Sequence, residues 1–287
     1  MNTLFKNIDT VKTEFNLELC NLLDLIKVPA PLFVSKNSGL NDNLTGIETK
    51  VEFSAKNILN SSFEVVQSLA KWKRFALQKF KLTGIVTDMV AIRKDEIPDI
   101  THSIQVEQWD WEHVLKSEDE RTLDTLYSYA TKIFKVIKKV DEKFNNLLSG
   151  VETLHFESFE DLHYHYPMST DEEIVSDVLK KHRIAFFSKI GTPERAPDYD
   201  DWTLNGDLYV WDNVINAPLE LSSMGIRVNA ESLRKQLIVC NINTITPYHS
   251  AILTNKLPLT IGGGIGKNRL CMYLLKMPNI SDYVDIY

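Results

Sequence analysis

Cysteine is scarce: three residues in 287, Cys20, Cys240 and Cys271, odd in number and far apart. That spacing excludes a disulfide framework and a paired-cysteine metal site. Long apolar runs are missing as well. None approaches the ~20 residues of a membrane span, and the N-terminus alternates charged with apolar residues where a secretory leader would have a continuous apolar stretch. Positive charge is not in excess, with 32 Lys and Arg against 39 Asp and Glu for a net charge of −7. A broad nucleic-acid footprint needs a basic surface to neutralise phosphates, so none is expected. There is no low-complexity linker and no internal repeat. What remains is an ordinary globular composition, 44% hydrophobic and 25% charged. It predicts a cytoplasmic protein with a sizeable core, read as a single domain over 1–287.

Periodicity supplies the elements. Val11, Phe15, Leu19, Leu22, Leu23 and Ile26 recur at helical spacing within 3–26, and Pro29 and Pro31 end that helix. Short strands are expected at 31–34, 51–53 and 63–66, then a helix over 69–80. Residues 85–93 and 103–111 read as an antiparallel pair joined by a polar loop with Pro98. A second long helix is expected over 119–148, mixed structure over 152–179, strands at 185–188, 207–211, 219–222 and 226–228, and a helix over 230–237. Hairpin-joined strands with bunched helices predict a mixed α/β fold around a mostly antiparallel sheet flanked by helices.

Three stretches carry polar groups in patterns that chemistry uses. The run Gly262-Gly263-Gly264-Ile265-Gly266-Lys267-Asn268-Arg269 reads as a glycine turn opening into an apolar helix over 270–275. Such a turn lets backbone N–H groups and the positive helix end approach phosphate. It is not a Walker loop, because Ile261 stands where the first glycine belongs and Asn268 where Ser or Thr would bind magnesium, and it lacks the G-x-G-x-x-G spacing. A plain tight turn packing a helix on a sheet is the competing reading. In the hairpin, Arg93 ends one strand while Gln108 and Asp110, two apart, share a face of the other, with Trp109 and Trp111 turned to the core. An arginine, an amide and a carboxylate together suit a zwitterion beside a phosphate; ordinary cross-strand ion pairs would look the same. Asp207 and Glu220, at the ends of neighbouring strands, are candidates for Mg²⁺ against nucleotide phosphates, or for a surface salt bridge. His155, His163 and His165 lack a second ligand motif and read as a polar surface segment, whereas His102 sits in the hairpin loop within reach of the arginine strand. Asp198-Tyr199-Asp200-Asp201-Trp202 is an acidic turn that would cover a site or cap the sheet edge.

The order of these stretches resembles the catalytic core of class II aminoacyl-tRNA synthetases, the aspartyl subgroup above all. Within that superfamily DNLTG at 42–46, FEVVQSLAKWKR at 63–74, VEQWDWE at 106–112, RAPDYDDW at 195–202, LNGD at 204–207, ELSSMGIRV at 220–228 and TIGGGIGKNRL at 260–270 are similar to the aspartate–ammonia ligases, the ammonia-dependent asparagine synthetases. No anticodon-binding domain can be placed. Position 2 is Asn, not the Cys a glutamine-dependent synthetase would expose, so free ammonia is the implied nitrogen donor. The resemblance implies ATP-dependent activation of aspartate as β-aspartyl-AMP, then displacement of AMP by ammonia. It implies Arg93 at the α-phosphate and reacting carboxyl; Lys73 and Arg227 on the α-carboxylate; and Ser68 and Asp110 on the α-amino group. His102, Glu220, Ser223, Gly264 and Arg269 fall around ATP, Asp207 and Glu220 on Mg²⁺, and Asp42 and Gln108 at the β-carbonyl, where ammonium loses its proton. Pro31 matches a dimer-interface motif, implying a homodimer. The family carries more residues between 190 and Asp198 and between Trp202 and Leu204 than this chain does. A paralogue passing an aminoacyl adenylate to another acceptor, and a non-catalytic binding protein on the same fold, are the other functions the pattern admits.

Overall fold

The computed structural model describes residues 2–45, 47–190 and 196–283. The first helix, α1 (Asn2–Leu23), places Ile8, Val11, Phe15 and Leu19 on one buried stripe. After the short β1 (Ile26–Lys27), strands β2 (Phe33–Ser35), β3 (Glu52–Phe53) and β4 (Phe63–Val65) form a small antiparallel sheet in the order β2-β4-β3. Helix α2 (Ala70–Phe80) leads into the hairpin β5 (Gly84–Ile92) and β6 (Gln105–Val114). Next come α3 (Leu123–Asp141), β7 (His155–Ser158), α4 (Phe159–His165), α5 (Asp171–His182) and β8 (Ile184–Ser188). The long hairpin β9 (Asp200–Asp212) and β10 (Ala217–Arg227) follows, then α6 (Ala230–Val239), α7 (Pro247–Leu253), β11 (Thr260–Gly266) and α8 (Lys267–Leu275).

Eight of these strands make one sheet in the order β1-β5-β6-β11-β10-β9-β8-β7, antiparallel except for the outer pairs β1/β5 and β7/β8. The mixed α/β expectation therefore holds. One face is covered by α1, α3 and α8, whose apolar stripes close over Trp109, Trp111, Leu208, Ile226 and Ile265. The tryptophans are on the core face, as the alternation of β6 requires. On the opposite face α4 and α5 pack over Ala185 and Phe187 at one end, and α2 lies against β5, β6 and β11 at the other. Polar side chains are gathered between them.

The glycine run departs from expectation. Gly262, Gly263 and Gly264 are not a turn but the middle of β11, paired to β6 on one side and β10 on the other. Only Gly266 plays the helix-opening part, as N-cap of α8. A side chain is excluded from this strand by its neighbours: a Cβ at Gly262 would land on the Glu112 carboxylate and the Arg227 guanidinium, and one at Gly264 on the Gln108 amide. Trp202 and Leu204 lie within a continuous β9, while the stretch 191–195, where the family is expected to carry more residues and which holds Arg195 of the RAPDYDDW motif, lies outside the described residues. Among the described residues no helix is long and apolar enough to cross a membrane.

Candidate active site

Register brings one row of residues across the polar face: Asp110 on β6 opposite Gly264 on β11, Gly264 opposite Ser223 on β10, Ser223 opposite Asp207 on β9. Directly paired residues share a face, so the four belong to one strip. Two adjoining cavities open along it. The smaller, about 90 Å³, is lined by Asp42, Ser68, Lys73, Arg93, Gln108, Asp110 and Arg227 among others. The larger, about 340 Å³, is lined by Arg93, His102, Gln108, Glu220, Ser223, Gly264 and Arg269, within the range usual for small-ligand sites. Six residues line both: Leu44, Arg93, Gln108, Tyr199, Ser223 and Gly264. Of the residues to which the resemblance gives a place around aspartate, ATP or Mg²⁺, Asp207 alone lines neither cavity; it is buried and engaged, one strand beyond Ser223.

The small cavity is built of fixed charges. Lys73, fully buried on α2, donates to Asp110 and to the Gly263 carbonyl at 3.0 Å. Burial and the nearby Arg227 lower its proton affinity against the pull of Asp110 and Glu112. Arg227 forks onto Glu112, through Nε at 3.0 Å and Nη2 at 2.7 Å, and donates from Nη1 to Asp200. Burial alone would raise the Glu112 carboxyl, but the Arg227 guanidinium outweighs it and holds the group below its ordinary range. The sequence gives Glu112 no role, and Asp200 only a place in the acidic turn over 198–202. The signal for Glu112 was present, since the alternation Gln108, Asp110 puts it next on the same face.

Asp42 enters from the loop after β2. The Asn41 side chain fixes that loop by accepting from the Gln67 and Asp42 N–H groups while donating to the Val65 carbonyl. Asp42 is buried, and burial together with the Asp198 charge pushes its carboxyl up, against Lys71 and a hydrogen bond from Ser68. Asp198 behaves oppositely: burial would raise it, but Lys71 and His249 hold it at about 2, from an ordinary 3.8. A depressed carboxyl stabilises the fold fully above its unfolded pKa and loses that stability as pH falls through the folded value. We therefore expect Asp198 to contribute about 2 kcal/mol that disappears between about pH 4 and pH 2. Urea midpoints of the wild type and Asp198→Asn across that window would check this: the gap between them should shrink as pH falls.

The large cavity is bounded by the β5–β6 loop and the start of α8. Arg269 donates from Nε to the Thr101 carbonyl at 3.1 Å and from Nη1 to the Glu220 carbonyl at 3.3 Å, tying the loop to β10. His102 is held by Asp99 in the same loop. Glu220 and Asp207 stand on neighbouring strands, and among the described residues no group of three or more His, Cys, Asp or Glu could hold a metal ion. Two carboxylates suit a cation completed by phosphate oxygens and water, not an all-protein cage. The histidine segment is remote: His163 is on α4 and paired with Asp171, while His155 stacks on His182.

Solved structures similar to this chain include tRNA synthetases, of whose chains it covers about two thirds. An asparaginyl-tRNA synthetase from Pyrococcus horikoshii, complexed with asparaginyl-adenylate, matches with a TM-score of 0.71 at 15% identity, covering 97% of this chain and 67% of that one. One from Entamoeba histolytica, also with asparaginyl-adenylate, gives 0.73 at 14%, covering 98% and 65%. At these identities the likeness is one of fold, and the fold is the class II synthetase core. Sequence relatives are nearer. An aspartate–ammonia ligase from Clostridium tetani is 45% identical over 293 residues, 96% of this chain and 86% of its own length, and one from Lactobacillus acidophilus is 43% identical over 291 residues, 95% and 86%. The family described as aspartate–ammonia ligase matches residues 3–284. Fold and sequence converge over nearly the whole length, and the chain belongs to the aspartate–ammonia ligase family.

Proposed function

We propose that the protein makes asparagine from aspartate, ATP and ammonia in two steps at one site. The β-carboxylate of aspartate attacks the α-phosphorus of ATP, giving β-aspartyl-AMP and diphosphate; ammonia then attacks the β-carbonyl and AMP leaves. The observation that carries this reading is the shared wall. Arg93 and Gln108 line both cavities, so a nucleotide in the larger and an amino acid in the smaller would meet at Arg93, where an α-phosphate and a carboxylate must be brought together and their charge neutralised.

The small cavity suits aspartate. Lys73 and Asp110 hold each other in the structure, and a zwitterion fits across the pair, its α-carboxylate on Lys73 and Arg227, its ammonium on Asp110 with Ser68. Arg227 keeps its position because Glu112 and Asp200 carry it from behind. Around the larger cavity Arg269, His102, Ser223 and the Gly264 backbone would hold ATP, with Mg²⁺ on Glu220 and Asp207 balancing the polyphosphate charge. Asp42, buried and raised in proton affinity, is suited to bind ammonium and take its proton, so that neutral ammonia attacks beside Gln108.

Leu32 and Phe33, exposed beside Pro31, support a homodimer through that region. The acidic balance of the chain supports work without nucleic acid, and one sheet that takes strands from β1 to β11 supports a single catalytic domain, which we place in the cytoplasm, away from membrane. The deciding assay is aspartate-dependent AMP release from ATP, with and without ammonium, while asparagine is followed. AMP and asparagine rising together only with ammonium is the expected result. Diphosphate exchange without asparagine would overturn it and point to another acceptor for the adenylate.

A further inference from the structure

Helix α7 opens with an unusual capping box. Thr246 accepts from the His249 N–H, and the third helical residue, normally Glu or Gln, is His249 itself, whose Nδ1 accepts from the Thr246 N–H at 3.3 Å. That bond leaves the hydrogen on Nε2, which points to Asp198 Oδ2 at 2.8 Å. The same oxygen accepts from Lys71 Nζ at 2.5 Å. His249, Asp198 and Lys71 are all buried, and none of them lines either cavity. Lys71 is bonded to Asp198 and also feels the charge of Asp42, with which it forms no ion pair among the described residues, and of the two carboxylates only Asp42 reaches the cavity wall.

We propose that His249 is a positioning residue for the amidation step, acting through Asp198 and Lys71 on Asp42. This rests on the reading of Asp42 as the ammonium-facing carboxylate. A lysine given wholly to Asp42 would neutralise it as a cation ligand. Asp198, its rotamer anchored by the His249 N–H, draws Lys71 away and leaves Asp42 a net attraction for ammonium. With the imidazole gone, the Asp198 carboxylate can turn, Lys71 can swing onto Asp42, and ammonium meets a spent partner. Adenylation, which depends on Arg93 and the nucleotide cavity, should not feel the change.

The test compares His249→Leu with His249→Gln, whose amide can present a donor where Nε2 stands. Aspartate-dependent exchange of diphosphate into ATP and asparagine formation against ammonium concentration are measured on each purified full chain. In His249→Leu we expect exchange within about twofold of wild type and an ammonium KM raised about tenfold, the loss of one hydrogen bond to a charged group. His249→Gln should recover most of it. An unchanged ammonium KM in the leucine variant overturns the proposal, and so does an equal loss of both activities that glutamine fails to restore, which would mark His249 as purely structural. Absence of exchange in the wild type would instead refute the adenylate reading itself, a separable outcome.

Discussion

With Arg93 replaced by alanine, aspartate-dependent exchange of diphosphate into ATP is expected to fall by about a hundredfold to a thousandfold, the usual result of removing a contact to charge that develops in the transition state. The fold should tolerate the change. Arg93 is half-buried, donates from Nε only to the Gln67 carbonyl at 3.3 Å, and among the described residues has no carboxylate paired with it. Truncation therefore strands no buried charge, and a slow variant would report chemistry, not unfolding. An exchange rate equal to wild type would remove Arg93 from the reaction and, with it, the shared-wall argument.

Arg227 should behave in the opposite way. Glu112 and Asp200 are buried at 0% and 2% exposure, and Arg227 is bonded to both. Arg227→Ala leaves two carboxylates in the interior without their shared cation, Glu112 keeping only Lys73 at 3.9 Å, and breaking a buried pair from one side costs about 3–5 kcal/mol. Arg227→Lys should recover little of this, because a single ammonium cannot reproduce the fork to Glu112 and reach Asp200 as well. Denaturant midpoints of the two variants against wild type decide the matter. A loss under about 1 kcal/mol for the alanine variant would mean that the Glu112–Arg227–Asp200 group is not holding the site together.

Much of this architecture is legible in the amino-acid sequence. The stripe of α1, the β5–β6 hairpin and the face shared by Gln108 and Asp110 follow from period alone, because in each case side chains of contrasting polarity mark the two faces. The glycine strand was not legible by the same means. Three glycines in a row leave no alternation to read, and the bulk against them explains the composition: Glu112 and Arg227 at Gly262, Met224 and the Ser223 carbonyl at Gly263, and Gln108 at Gly264. The β9–β10 hairpin read as fragments, since Ser222, Ser223 and Gly225 interrupt its apolar pattern and the register shifts between Glu220 and Ser222. Helix α7 escaped notice because seven residues offer barely two turns of period. His249 went with it, and its partnership with Asp198 of the acidic turn rests on a contact across 51 positions of chain. The roles proposed for Asp42, Lys73 and Arg227 rest on motif resemblance, and what the sequence does not carry is their burial and hydrogen bonding, which make such groups costly in an interior unless they are matched.

The glycine strand has one more consequence, for how the site fails. β11 is hydrogen-bonded along both edges and lies near the middle of the eight-stranded sheet, so its amides cannot meet solvent through fraying or the loosening of a loop. Backbone deep in a sheet opens only in the largest fluctuations, those that cost nearly the whole stability of the fold. The floor of the cavities is thus drawn from the slowest-exchanging part of the molecule, while the β5–β6 loop that carries His102 forms their rim and is tied to β10 through Arg269. The floor is lost only when the protein is.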